Sequence, residues 1–120
     1  MARRSRFSNG VVINNVRPTS PSNPAGETAL LSLFKVDATF DPGSVAAQTA
    51  EEETATVAGV AVGDIVLSVT KPTVTAGVSI GSARVSATNT VLVTFINAST
   101  AAVDPASETY SFVIGRFGTT

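Results

Sequence analysis

Any chemistry in this chain has to come from carboxylates, guanidiniums and hydroxyls, because its 120 residues include no His, Cys or Trp. Three aspartates, Asp41, Asp64 and Asp104, each stand beside Pro or Gly, and three such carboxylates brought together could hold a hard cation such as calcium. Asp is also a preferred turn residue, since its side chain accepts bonds from the nearby backbone. The turn reading takes precedence at all three positions, so no metal site is expected. The acidic run Glu51-Glu52-Glu53 reads as a solvated face or a charged guard on a sheet edge, with a docking patch for a basic segment as the sharper alternative. Ser and Thr are plentiful, but with no His and no Gly-x-Ser-x-Gly elbow no base is at hand to activate a hydroxyl. Gly59, Gly63, Gly77 and Gly81 lack phosphate-loop or dinucleotide-loop spacing and read as turn glycines. The expectation is a protein that is not an enzyme and needs no cofactor.

The guanidiniums are unevenly placed. Net charge is −1, yet residues 1–20 carry Arg3, Arg4, Arg6 and Arg17 with no acid, leaving the remainder acidic. Pro18, Pro21 and Pro24 follow at three-residue spacing, which favours extended polyproline-II backbone and forbids helix. Residues 1–28 are therefore expected to be a basic, proline-rich arm, and residues 29–120 the folded body. Arms of this kind are either disordered or ordered only against a partner, because alone they lack the apolar content to offset their ordering entropy. Arg3, Arg4, Arg6, Phe7 and Arg17 are the candidate anchors of such an arm, with Val11, Val12 and Ile13 able to pair as a strand on a sheet edge. Basic arms also contact nucleic acid, in a salt-sensitive and sequence-blind way. The acidic body opposes that, and no direct nucleic-acid binding is expected.

The body must be built from strands. Val and Thr, stiff at χ1 and suited to a pleated surface, are abundant beside nine Gly and six Pro. Phe34, Val36, Ala38 and Phe40 alternate with Lys35, Asp37 and Thr39 up to the turn Asp41-Pro42-Gly43. Residues 44–53 read as a polar link with room for one helical turn. Thr54 to Val57 and Ile65 to Thr70 read as two strands about a glycine-marked turn, with Ile65, Leu67 and Val69 on one face. Val74 to Ala87 reads as two short extended pieces around Gly77 and Gly81. Val91, Val93 and Phe95 alternate, as do Tyr110, Phe112 and Ile114. Six or seven short strands predict an all-β fold, a small antiparallel β-sandwich or jelly-roll-like domain with an extended N-terminal arm.

The opening Met-Ala-Arg-Arg-Ser-Arg-Phe imitates an export signal, but Ser8-Asn9-Gly10 and Asn14-Asn15 interrupt any apolar core after it. The longest apolar stretch, around Ala29 to Phe34, is far short of the ~20 residues that span a bilayer. A soluble protein without membrane contact is expected.

Taken together, Asp41-Pro42-Gly43-Ser44-Val45-Ala46-Ala47-Gln48-Thr49-Ala50-Glu51, Val57-Ala58-Gly59-Val60-Ala61-Val62-Gly63-Asp64, Lys71-Pro72, Gly77, Ala83-Arg84-Val85-Ser86-Ala87 through Asn89-Thr90, Phe95-Ile96-Asn97 and Asp104-Pro105-Ala106-Ser107-Glu108-Thr109-Tyr110 resemble a small β-sandwich module of tailed-bacteriophage virion proteins. Within that group the chain is most similar to a head decoration, or cement, protein. The resemblance covers roughly the Asp41 to Ile114 region and leaves out the arm. It implies a structural virion protein on the head exterior, made in the host cytoplasm, that binds the major capsid protein and copies of itself as a homotrimer. It implies no catalysis. A tail-fibre or spike component binding a host glycan is the alternative, and it would require exposed aromatic side chains on a cleft.

Overall fold

The computed structural model describes residues 28–118. Its strands are β1 (Ala29–Phe40), β2 (Thr49–Thr56), β3 (Ile65–Thr70), β4 (Val78–Ala87), β5 (Thr90–Asn97) and β6 (Glu108–Gly118). They form two three-stranded antiparallel sheets, ordered β1-β6-β3 and β2-β5-β4, so the domain is an all-β sandwich with no helix among the described residues.

Each sheet hides its middle strand. Tyr110, Phe112 and Ile114 of β6 and Val91, Val93 and Phe95 of β5 are fully buried, because each lies between two partner strands and under the opposite sheet. The edge strands are only half covered, and Phe34, Val36 and Ala38 of β1 pack against the core while partly exposed. At the centre the Phe40 ring meets Tyr110 edge-on at 5.0 Å and Phe95 at 6.0 Å, and Tyr110 stacks on Phe112 at 6.4 Å. Aromatic pairs at such distances add to the apolar burial that holds the two layers together.

Four details differ from the sequence expectations. Residues 49–53 belong to strand β2, not to a helical link. Glu51 and Glu53 sit opposite Phe95 and Val93 of β5, on the side that an apolar alternation would occupy. Their carboxylates accept the backbone N–H groups of Ala46 and Gly43, both at 2.7 Å, so acids replace apolar side chains at the rim. The strands flanking the Gly59–Gly63 segment do not form a hairpin, since β2 and β3 lie in different sheets. The segment crosses the sandwich instead. Val78–Ala87 is one strand with a register shift at Gly81, where a Cβ would come within 2.8 Å of Ile96 Cδ1. Finally, a bulge between Val66 and Ser68 turns Val66 and Val69 to the core while Ile65 and Leu67 stay about half exposed. A bulge resets the two-residue period, which simple alternation cannot foresee.

Two asparagines fasten the connections. Asn89, at the tip of the β4–β5 hairpin, has φ 59°, a left-handed conformation that Asn tolerates better than most residues. Its N–H donates to the Val60 carbonyl, its carbonyl accepts from Val57 N–H, and its Oδ1 accepts from Gly59 N–H. Asn97 is buried, and every side-chain valence it has is used. Its Nδ2 donates to the carbonyls of Val45 and Ala101, while its Oδ1 accepts from the N–H and hydroxyl of Ser99. With the Val45–Val103 bridge, Asn97 closes one end of the sandwich.

Candidate functional site

Most of the charged side chains among the described residues, the first candidates for chemistry, are committed to internal bonds. The most buried of them is Asp64, whose side chain is 4% exposed. Two consecutive tight turns bring it into place, Val57–Val60 and Ala61–Asp64, each closed by a backbone bond. Gly59 and Gly63 occupy their third positions with φ of 96° and 101°, a conformation that side-chain-bearing residues resist. Asp64 Oδ2 then accepts from Ala61 N–H at 2.9 Å, and both carboxylate oxygens take the fork of Arg116, at 2.9 and 2.7 Å. The same guanidinium donates to the Gly59 carbonyl at 2.7 Å and lies over the Phe34 ring, 5.2 Å from its centroid. Bidentate contact, a helping N–H and an aromatic face make this a strong local clamp. The Arg116 guanidinium holds the Asp64 carboxyl below the usual carboxylate range.

Three further pairs follow the same logic, Lys71–Glu108 largely buried and the other two in solvent. Glu108 accepts from Lys71 at 2.7 Å and from the Thr73 hydroxyl, which lower its pKa. Arg84 pairs with Glu52 across the outer face of the second sheet and lowers its pKa. Ser111, then Lys35, lower that of Asp37. Each of these acids is stabilised in its ionised form. An acid–base pair needs two groups whose environments push their pKa values apart, and these four shift the same way. Tyr110 goes the other way, pushed up to about 12 chiefly by burial, and its hydroxyl has no hydrogen-bond partner among the described residues. Asp41, Asp64 and Asp104 do not converge, and no group of three His, Cys, Asp or Glu side chains suited to a metal ion occurs among the described residues.

What the body does present is apolar surface. Leu33, Ile65, Leu67 and Phe117 are between 39% and 52% exposed. Leu33 and Ile65 flank Gly115 in register, on the outer face of the β1-β6-β3 sheet. A Cβ on Gly115 would lie 2.9 Å from the Phe117 ring and 3.3 Å from Leu67 Cδ1, so these two side chains lie down onto bare backbone. Outer faces of sandwiches are ordinarily polar, and a cluster of large apolar residues there marks a contact surface.

The residues singled out in the sequence, Arg3, Arg4, Arg6, Phe7, Val11, Val12, Ile13 and Arg17, all lie outside the described residues. The aromatics that a glycan cleft would need are mostly interior. Phe40, Phe95, Tyr110 and Phe112 are buried and Phe34 is partly so, leaving Phe117 the most exposed aromatic among the described residues. Arg116, Asn89 and Asn97 were not legible as structural centres. Arg116 breaks the apolar alternation of its strand, a usable signal, but its partner Asp64 is distant in sequence.

Compared with protein-family models, curated proteins and solved structures, the chain finds no match.

Proposed function

We propose that the chain is a structural virion protein of a tailed bacteriophage, a decoration or cement protein that binds the outside of the head and stabilises joints between major capsid protein subunits. The observation that carries this reading is the placement of the segments on which the resemblance rests. The loop from Asp41 to Gln48, Asn97 and the stretch from Asp104 to Tyr110 meet at one end of the sandwich, joined by the Val45–Val103 bridge and the Asn97 amide. They make up one closed end of the sandwich. A small body most of whose charges are paired internally, carried behind a basic arm, suits a subunit that works by binding. Repetition on a capsid lattice then adds avidity to individually weak contacts.

Arg3, Arg4, Arg6, Phe7 and Arg17 serve in this reading as arm anchors on neighbouring capsid subunits, with Val11, Val12 and Ile13 as the segment that pairs. The protein acts as a homotrimer, without cofactor, membrane or direct nucleic-acid contact. The test adds purified protein to heads lacking it and measures co-sedimentation and the temperature of shell rupture. Saturable binding with a raised rupture temperature is expected. Failure to co-sediment, or electron micrographs placing the chain at the tail, would defeat the reading. A chain beginning at Ala29 is expected to lose head occupancy.

A further inference from the structure

We propose that the apolar face around Gly115 is covered by the chain's own segment Val11–Val16, folded back over the β1-β6-β3 sheet. The inference concerns the free protein, before any partner engages the arm, and is independent of any role in a virion. Four half-exposed side chains, Leu33, Ile65, Leu67 and Phe117, form the surface, and the last two lie low over the bare backbone of Gly115.

The geometry of the chain favours this occupant. Ala29 pairs with Gly118, so the N-terminal segment enters the fold four positions from Leu33, at the same end of the sheet as Phe117. The candidate segment, Val11-Val12-Ile13-Asn14-Asn15-Val16, carries four of the arm's apolar side chains. Successive side chains of an extended segment point to opposite sides. If odd positions face the sheet, Val11 and Ile13 meet the patch; if even ones do, Val12 and Val16 meet it. Either orientation buries two β-branched residues.

Reach is sufficient. Residues 17–28 link the segment to Ala29, and their three prolines favour an extended tether of roughly 37 Å at ~3.1 Å per residue. The path from Ala29 to Leu67 crosses two strand spacings, about 10 Å, and runs about 15–20 Å along the sheet. A tether of this length holds the segment at an effective concentration near the millimolar range, well above that of a second copy in dilute solution.

The chain has no cysteine, which makes disulfide trapping direct. Full-length Val12→Cys/Leu67→Cys and Ile13→Cys/Leu67→Cys are oxidised at low micromolar concentration, beside Val12→Cys/Thr54→Cys as control. Thr54 is exposed on the opposite sheet. At least one Leu67 pair is expected to close an intramolecular disulfide about tenfold or more faster than the control, at a rate independent of dilution. If Leu67→Cys unfolds the domain, Ile65→Cys presents the same face. Rates equal to the control would overturn the proposal. Covalent dimers whose formation slows on dilution would overturn it too, in favour of a second copy on the face. A second readout is Val12→Ser/Ile13→Ser in the full chain. It is expected to raise the fluorescence of a dye that binds apolar surface while the far-ultraviolet circular dichroism is unchanged. Unchanged fluorescence would count against the proposal.

Discussion

Replacing Asp64 by Ala removes three charge-assisted bonds at once, two to Arg116 and one from Ala61 N–H. Truncating one partner of a fully buried ion pair costs about 3–5 kcal/mol, because the other charge is stranded. Here the stranded partner is better placed, since the Arg116 side chain is 38% exposed and keeps both the Gly59 carbonyl and the Phe34 ring. Partial rehydration discounts the loss to about 2–3 kcal/mol. For a domain near 90 residues that lowers the melting temperature by about 10–20 °C. Asp64→Asn retains an acceptor for Ala61 and for one arm of the fork, so its loss should be about half as large. Urea unfolding of all three proteins at neutral pH measures these differences. The acidity dependence gives a separate check. The folded-state pKa of Asp64 is depressed, so its contribution is fully present above the unfolded value of about 3.9 and is lost as pH falls through the folded value. The stability gap between wild type and Asp64→Ala should therefore hold from neutral pH down to about 4 and close below it. A loss under about 0.5 kcal/mol at neutral pH would refute the reasoning and reclassify the clamp as an ordinary surface pair.

Tyr110→Phe removes a buried hydroxyl that has no partner among the described residues, and is expected to raise stability by about 1 kcal/mol, after a small offset for the space left behind. A fall in melting temperature would mean that the hydroxyl is hydrogen-bonded in solution. Asn89→Ala should cost about 1–2 kcal/mol, combining left-handed strain with loss of the Gly59 bond, whereas Asn89→Gly relieves the strain and should cost less. Equal costs in thermal melts would assign the whole effect to the side-chain bond. Asn97→Leu leaves the Ser99 N–H without its acceptor and removes one of two donors from each of the Val45 and Ala101 carbonyls, which keep Val103 N–H and the Ser99 hydroxyl, and should cost about 2 kcal/mol. Amide hydrogen exchange in the loops at residues 41–48 and 98–107 should rise with it, and unaltered exchange there would show that the bridge alone closes that end.

The layers of the fold were legible because their central strands obey the two-residue period. Phe95 with Val91 and Val93, and Tyr110 with Phe112 and Ile114, announce one buried face each, and β1 does the same with Phe34 to Phe40. The period failed where a different force decided the position. Glu51 and Glu53 occupy inward sites at the rim because backbone N–H groups of the preceding loop reach them, a partnership that a strand pattern does not encode. The bulge between Val66 and Ser68 shifted the faces of β3, and with that shift Ile65 and Leu67 parted from Val69 and came to lie on the exposed surface. The apolar face around Gly115 was hidden for that reason. Turn chemistry was readable locally, since Gly59 and Gly63 do adopt positive φ. The pairing of Asp64 with Arg116 was not, because it depends on which strand lies across the sandwich.

The strand order has a consequence for how the protein is made. In the β1-β6-β3 sheet the middle strand is the last of the six in sequence, so β1 and β3 emerge from the ribosome with no partner in that sheet. The other sheet closes earlier, around the β4–β5 hairpin. Until β6 follows, the nascent chain carries two unpaired strands and the apolar side chains of Phe34, Val36, Val66 and Val69 that β6 will later cover. Such long-range pairing folds slowly and leaves strand edges open to neighbouring chains. High-level synthesis should therefore be limited by association of incomplete chains, and lowering the rate of initiation should recover soluble protein.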